Sequence, residues 1–252
     1  MSIVDDFSAK SEALFTPEHI YGSREKLADV CVVTFSGKVL EKVLSEYSPS
    51  VAARAATANG KVEIYLIEDN EKRILFYMSP IGTPAAGAIM QEVSVLTGAK
   101  KFVAFGSCGV LAPEECAEKV IVPTESYRDE GFSYHYAPAA DYIEMKNSRT
   151  VAEYLEKNGV PCIAGRNWTT DAIYRETQHK IIRRKAEGCI SVEMEAAALQ
   201  ALSDFIGTEL YIFFFDGDVL GEKWDIGNMG GEKEKARQHG LFDVAMGLAE
   251  SL

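Results

Sequence analysis

Short apolar or β-branched runs alternate along this chain with longer segments of helical periodicity, and that alternation restricts the fold more than any other feature. Strands are predicted at Cys31–Phe35, Lys61–Glu68, Arg73–Ser79, Lys101–Gly106, Lys119–Thr124, Cys162–Arg166, Ile190–Glu193 and Leu210–Asp216. Several are apolar without alternation, as strands covered on both faces are. Helices are predicted over Gly37–Tyr47, Pro84–Thr97, Ser148–Asn158, Glu176–Ala186, Met194–Phe205 and Lys233–Leu252. Thr83-Pro84 supplies a capping hydroxyl followed by a proline at the first helical position. Met194, Ala198, Ala201, Leu202 and Phe205 form a stripe at three- and four-residue spacing. Repeated strand–helix order implies a single-domain, three-layer α/β/α fold over residues 1–252, with a mixed, twisted central sheet.

Charge and composition narrow the partners. The 26 basic and 38 acidic residues leave a net charge of −12, which opposes binding to a nucleic-acid backbone or an anionic membrane. A small anion held by a few local donors remains compatible. No apolar run reaches the ~18 residues of a membrane span, and Met1–Lys10 has no apolar signal-peptide core. Cys31, Cys108, Cys116, Cys162 and Cys189 are odd in number and widely spaced, which fits neither a disulfide framework nor a zinc ribbon and points to a reducing cytoplasm. No clustered Cys/His set suggests a metal, and Ile81–Gly87 is not a dinucleotide fingerprint.

Ligand sites in such sheets lie beyond the carboxyl ends of the strands. Polar and glycine-rich segments collect there. In Gly106-Ser107-Cys108-Gly109, two glycines bracket a hydroxyl, so backbone N–H groups can approach an anion; the same spacing also suits a tight turn. In Val192-Glu193-Met194-Glu195-Ala196, two carboxylates meet the start of an Ala-rich helix. Exposed acids at a helix start commonly complement the dipole, but acids bounded by apolar residues need donors, and sugar hydroxyls supply them. Asp216-Gly217-Asp218 ends the most apolar strand; one carboxylate suits a turn cap and the other a general acid.

At these residues the chain resembles the nucleoside phosphorylase family, which contains purine nucleoside and uridine phosphorylases and related nucleosidases. The likeness covers roughly positions 19 to 250, with Gly106–Gly109, Val192–Ala196 and Ile81–Pro84 as anchors. Arg128–His135 is similar to the uridine phosphorylase version of its segment, and Thr170–Tyr174 to the strand leading into the base loop. The resemblance implies a pentosyltransferase that cleaves an N-glycosidic bond with inorganic phosphate as co-substrate and no other cofactor. It implies Glu195 and the Met194 backbone on the ribose hydroxyls with Glu193 in support, and Gly37, Gly106 and Ser107 on phosphate. Ile173 and the Arg175–Gln178 loop, including Glu176, would hold the base, with His135 as a further contact. His19 matches a histidine lent across a dimer interface, so a homo-oligomer is expected, either a dimer or a hexamer built as a trimer of dimers. Asp218 is the first choice to protonate a purine leaving group, and Asp216 the second.

Two departures matter. Ala104 stands where these phosphorylases carry an arginine, and Gly37-Lys38-Val39-Leu40-Glu41 lacks the arginine that follows their first glycine loop. A buried phosphate dianion without a cation costs several kcal/mol, so Lys38, Arg54, Lys61 or Arg128 would substitute. Otherwise water, activated near Glu41, would be the nucleophile, as in the nucleosidases. A non-catalytic nucleoside-binding relative is the third reading. Asp218 favours a purine and Arg128–His135 a uridine-like substrate. His179 and His239 lie in charged helical patterns and read as structural.

Overall fold

A computed structural model describes residues 2–58, 60–69, 72–227 and 229–252. Eleven strands form one mixed sheet: β1 (Val30–Thr34), β2 (Ser50–Thr57), β3 (Gly60–Asp69), β4 (Lys72–Met78), β5 (Lys101–Val110), β6 (Val120–Asp129), β7 (Tyr142–Glu144), β8 (Cys162–Thr170), β9 (Cys189–Glu193), β10 (Glu209–Leu220) and β11 (Trp224–Asp225). The helices are α1 (Pro17–Tyr21), α2 (Gly37–Glu46), α3 (Thr83–Thr97), α4 (Pro113–Cys116), α5 (Ser148–Lys157), α6 (Gln178–Ala186), α7 (Ala196–Ile206) and α8 (Gly231–Ser251). Residues of α3 and α7 join one apolar cluster with one face of the sheet, including Ile89, Met90, Leu199 and Leu202. Those of α2, α5 and α8 join a second on the other face, including Val39, Val43, Leu155 and Phe242. The expected three layers are present.

The sheet's connectivity places the site. Strand β5 pairs along one edge with β10, in parallel from Lys101 to Val110. Along its other edge it changes partner: β1 accompanies it in parallel as far as Phe105, and β9 joins antiparallel only at Gly109 and Val110. Gly106, Ser107 and Cys108 therefore have no strand neighbour on that edge. The chain β5–β10–β6–β8–β9 returns to β5 and closes a ring of five strands, from which β1, β4, β3 and β2 extend as a wing.

Among the departures from expectation, four have a clear local cause. Strand β2 forms in an alanine-rich segment of low strand propensity because it completes the wing by antiparallel pairing with β3. Strand β8 runs on to Thr170, past the expected end at Arg166, because its pairing with β6 and β9 continues. Helix α6 starts at Gln178 and not Glu176, since the Thr177 side chain caps it by accepting from the Lys180 N–H. Helix α7 starts at Ala196, leaving Met194 and Glu195 in the turn before it. Both shifts leave an acidic side chain off the helix and beside the same cavity.

Candidate active site

A cavity of about 280 Å³ opens at the strand ends and is lined by segments of every expected kind: Gly106–Gly109, Glu193–Glu195, Ile173 with Glu176, and Asp218. Beyond Phe35, Gly106 and Ser107 it adjoins a second chamber of about 460 Å³, where Ser36 and Gly37 begin α2. The first-turn N–H groups of that helix and the unaccompanied edge of Gly106–Cys108 give the chamber a lining of backbone donors. A larger hollow of about 660 Å³, lined by Tyr21, Arg24, Arg54 and Leu96, shares no residue with either.

The paired glutamates have different jobs. Glu193 accepts from the Asn167 amide and Thr169 hydroxyl at one oxygen, and from the Glu195 and Ala196 N–H groups at 2.6 and 2.8 Å at the other. Its acceptor capacity goes to the protein, so it braces the turn that carries Met194 and Glu195. Glu195 receives the N–H of Gly82 at 2.6 Å. Gly82 has φ +96°, a backbone angle that L side chains strain to adopt, and it presents that N–H just before α3. Burial raises both carboxyls. Glu195, which also faces the charge of Glu193, is pushed up to about 8. The proton of the pair therefore resides on Glu195.

Opposite the glutamates stand two more acids. Asp218 Oδ2 accepts the indole N–H of Trp224 at 2.7 Å, which leaves Oδ1, next to Gly109, to face the cavity. A Cβ on Gly109 would lie 2.4 Å from Leu220 Cδ1 and 3.3 Å from that oxygen, so glycine is needed for the close approach. Glu176 is raised to about 7, first by burial and then by the charge of Asp218. Asp216, the second choice of acid, is ion-paired with Arg237 of α8.

Residues 29–219, well over half of the chain, match the family model described as the phosphorylase superfamily. The chain belongs to the phosphorylase superfamily. Among its curated relatives, a DeoD-type purine nucleoside phosphorylase of Exiguobacterium sp. is 26% identical over 138 residues, covering 52% of this chain and 57% of the relative. One from Alkaliphilus metalliredigens is 25% identical over 185 residues, covering 71% and 77%. One from Colwellia psychrerythraea is 26% identical over 138 residues, covering 52% and 58%. The chain thus spans little more than half the length of several relatives it matches.

This superfamily member gathers only part of the expected site within one chain. Glu193, Met194, Glu195, Ser107, Gly106, Ile173, Glu176 and Asp218 line the cavity, and Gly37 lines the adjoining chamber. His19 is exposed on α1, with Nδ1 accepting the Thr16 N–H, and Arg54 pairs with Glu63 on the wing at 3.1 Å. His135 and Arg175 are exposed and border neither space. The Gln178 amide is committed to the carbonyls of Gly221 and Glu222, tying α6 to the hairpin that carries Trp224. Arg128 is removed as a phosphate cation: it is buried, stacks 4.1 Å from the Tyr134 ring centroid and donates to Ser133 and the Pro138 carbonyl. Ala104 is wholly buried and places no charge near the chamber. Lys38 lines the chamber, as do Glu41 and Glu234; Lys38 pairs with Glu234 at 3.2 Å. Among the described residues no group of acids, histidines and cysteines is arranged to hold a metal, and no helix is long and apolar enough to cross a membrane.

Proposed function

We propose that this protein is a nucleoside phosphorylase, cleaving the N-glycosidic bond with phosphate to give a free base and a pentose 1-phosphate. The observation that carries the reading is one cavity in which Glu195, Ser107 and Asp218 meet, sharing Phe35, Gly106 and Ser107 with an adjoining chamber. The Met194 backbone and Glu195 hold the ribose hydroxyls, braced by Glu193. Phosphate lies against Ser107, Gly106 and the start of α2, with Lys38 as the cation within the chain. A phosphate oxygen bonds to C1′ as the bond from C1′ to the base nitrogen breaks, and the electron pair leaves with the base. A proton from solvent passes by way of Asp218 Oδ1 to the departing base. Electrostatic support of the cationic ribose is the main source of acceleration.

His19 and Arg54 serve the site only if a second copy presents them, so the active form is a homo-oligomer. The net charge of −12 and the free cysteines suit a cytoplasmic enzyme. A hydrolytic reading has one observation in its favour: Glu41 and Glu234 outnumber Lys38 in the chamber, and that charge balance opposes a dianion. Following free base from a nucleoside panel with and without phosphate decides between them. Release that requires phosphate, with pentose 1-phosphate as co-product, is the expected result. Equal release in phosphate-free buffer would establish hydrolysis, and binding without release would leave only a nucleoside carrier.

A further inference from the structure

The base end of the cavity is acidic and contains no side-chain cation. Around Glu176 and Asp218 the lining is Ile173, Val192, Phe214 and Met229, and among the described residues no Lys, Arg, His, Asn or Gln borders the space. Glu176 sits in the short loop between the Ile173–Arg175 turn and α6, held there by the Thr177 cap. Among the described residues its carboxyl has no hydrogen bond or ion pair, and the residue is half-buried. Lys180, the nearest cation on α6, is committed to Asp129 at 2.6 Å. A half-buried carboxyl on the lining of a ligand cavity, without a protein partner, is free to accept from a ligand donor that displaces water.

We propose, resting on the nucleoside-cleavage reading above, that Glu176 selects the base, its carboxylate accepting an exocyclic N–H of a 6-aminopurine while Asp218 serves the adjacent ring nitrogen. The match is one of donor pattern. As a 6-aminopurine departs, its 6-amino group and its newly protonated N7 form two neighbouring N–H donors, and the cavity offers two neighbouring carboxyls. A 6-oxopurine places an oxygen lone pair against Glu176. Uracil flanks its single N–H with two carbonyls, for which the described residues of this wall offer no cationic or amide side-chain donor. The uridine-type segment Arg128–His135 does not compensate, since Arg128 is spent on Ser133 and backbone carbonyls and His135 faces solvent.

The groups facing Glu176 also set how this preference responds to pH. They are Asp218 from β10, Lys180 from α6, and Glu193 and Glu195 across the cavity. Burial and Asp218 bring Glu176 to about 7. Below that value it carries a proton and can donate to a 6-oxo group; above it the carboxylate only accepts. Preference for the 6-amino base therefore grows as pH rises through about 7.

The test compares kcat/KM for adenosine, inosine and uridine at pH 6 and pH 8, in the wild type and in Glu176→Gln. The wild type is expected to favour adenosine over uridine by about tenfold to a hundredfold, the range of one charged hydrogen bond. Its adenosine-to-inosine ratio should increase several-fold from pH 6 to pH 8. In Glu176→Gln, whose amide both donates and accepts, that ratio should fall about tenfold and lose its pH dependence. Uridine used as well as adenosine, or a ratio unmoved by the substitution, overturns the proposal. Calorimetry of adenine, hypoxanthine and uracil on the wild type decides the matter even if the variant misfolds or no nucleoside is cleaved. Adenine binding at least tenfold tighter than uracil supports the assignment, and equal binding refutes it. Absence of cleavage alone would defeat the catalytic reading and not the choice of base.

Discussion

Glu195→Gln should lower kcat/KM by about a hundredfold to a thousandfold and, in the same protein, raise the melting temperature. The ribose hydroxyls, as donors, favour the ionised form of Glu195 on binding, and the loss of activity follows from removing that carboxylate, to which hydrogen bonds contribute about 1.5–3 kcal/mol each. The gain in stability follows from linkage. Glu195 has an ordinary value of 4.5 and is raised to about 8 in the folded chain, so between those pH values the native state holds a proton that the unfolded chain has released. Stability therefore falls as pH rises from about 4.5 to 8, and is level on either side. An amide of the same shape accepts the Gly82 N–H without this penalty. The expected advantage is absent near pH 4.5, about 1–3 kcal/mol at pH 7, and largest above pH 8. Paired kinetic assays and thermal melts from pH 4 to pH 9 check both halves. Retained activity would take Glu195 out of the site, and a pH-independent melting difference would show that its buried charge is not penalised.

The second large effect is purely structural. Asn167 is wholly buried, donating to Ser126 Oγ at 2.8 Å and Glu193 Oε1 at 2.7 Å, and accepting from Ser191 Oγ at 2.8 Å. It joins β6, β8 and β9 through one side chain. Asn167→Leu matches its size but leaves two hydroxyls and one carboxylate oxygen short of partners. The cost should be roughly 3–5 kcal/mol, a fall in melting temperature on the order of 10 °C for a chain of this length. A fall of less than 2 °C in calorimetry would mean that the network under Glu193 is dispensable.

These two residues show what could and could not be read from the chain. The Glu-Met-Glu turn was legible because acids bounded by valine and alanine must be both shielded and supplied with donors. The donors themselves were not. Asn167 and Thr169 lie beyond the expected end of their strand at Arg166, and only the continued pairing of β8 with β6 and β9 brings them beneath Glu193. Strands β5 and β10 were visible as unbroken apolar runs, whereas β2 is alanine-rich, mostly exposed, and exists through its neighbour. The acidic wall was half legible. Asp218 followed from a carboxylate after an aromatic strand, but the Trp224 indole that fixes it comes from a hairpin with no local signal of that contact. Glu176 was expected near the base, yet its release from the helix depended on Thr177 taking the cap.

The change of partner along β5 has a dynamic consequence. Amide protons locked between two strands exchange with solvent slowly, while those facing a ligand space are protected only when it is filled. Gly106, Ser107 and Cys108 form an interval of the second kind inside a strand whose two ends are paired on both sides. N–H groups alternate in direction along a strand, so deuterium uptake at those of the three amides that point away from β10 is a built-in gauge of occupancy, legible without turnover and against a rigid background supplied by the same strand.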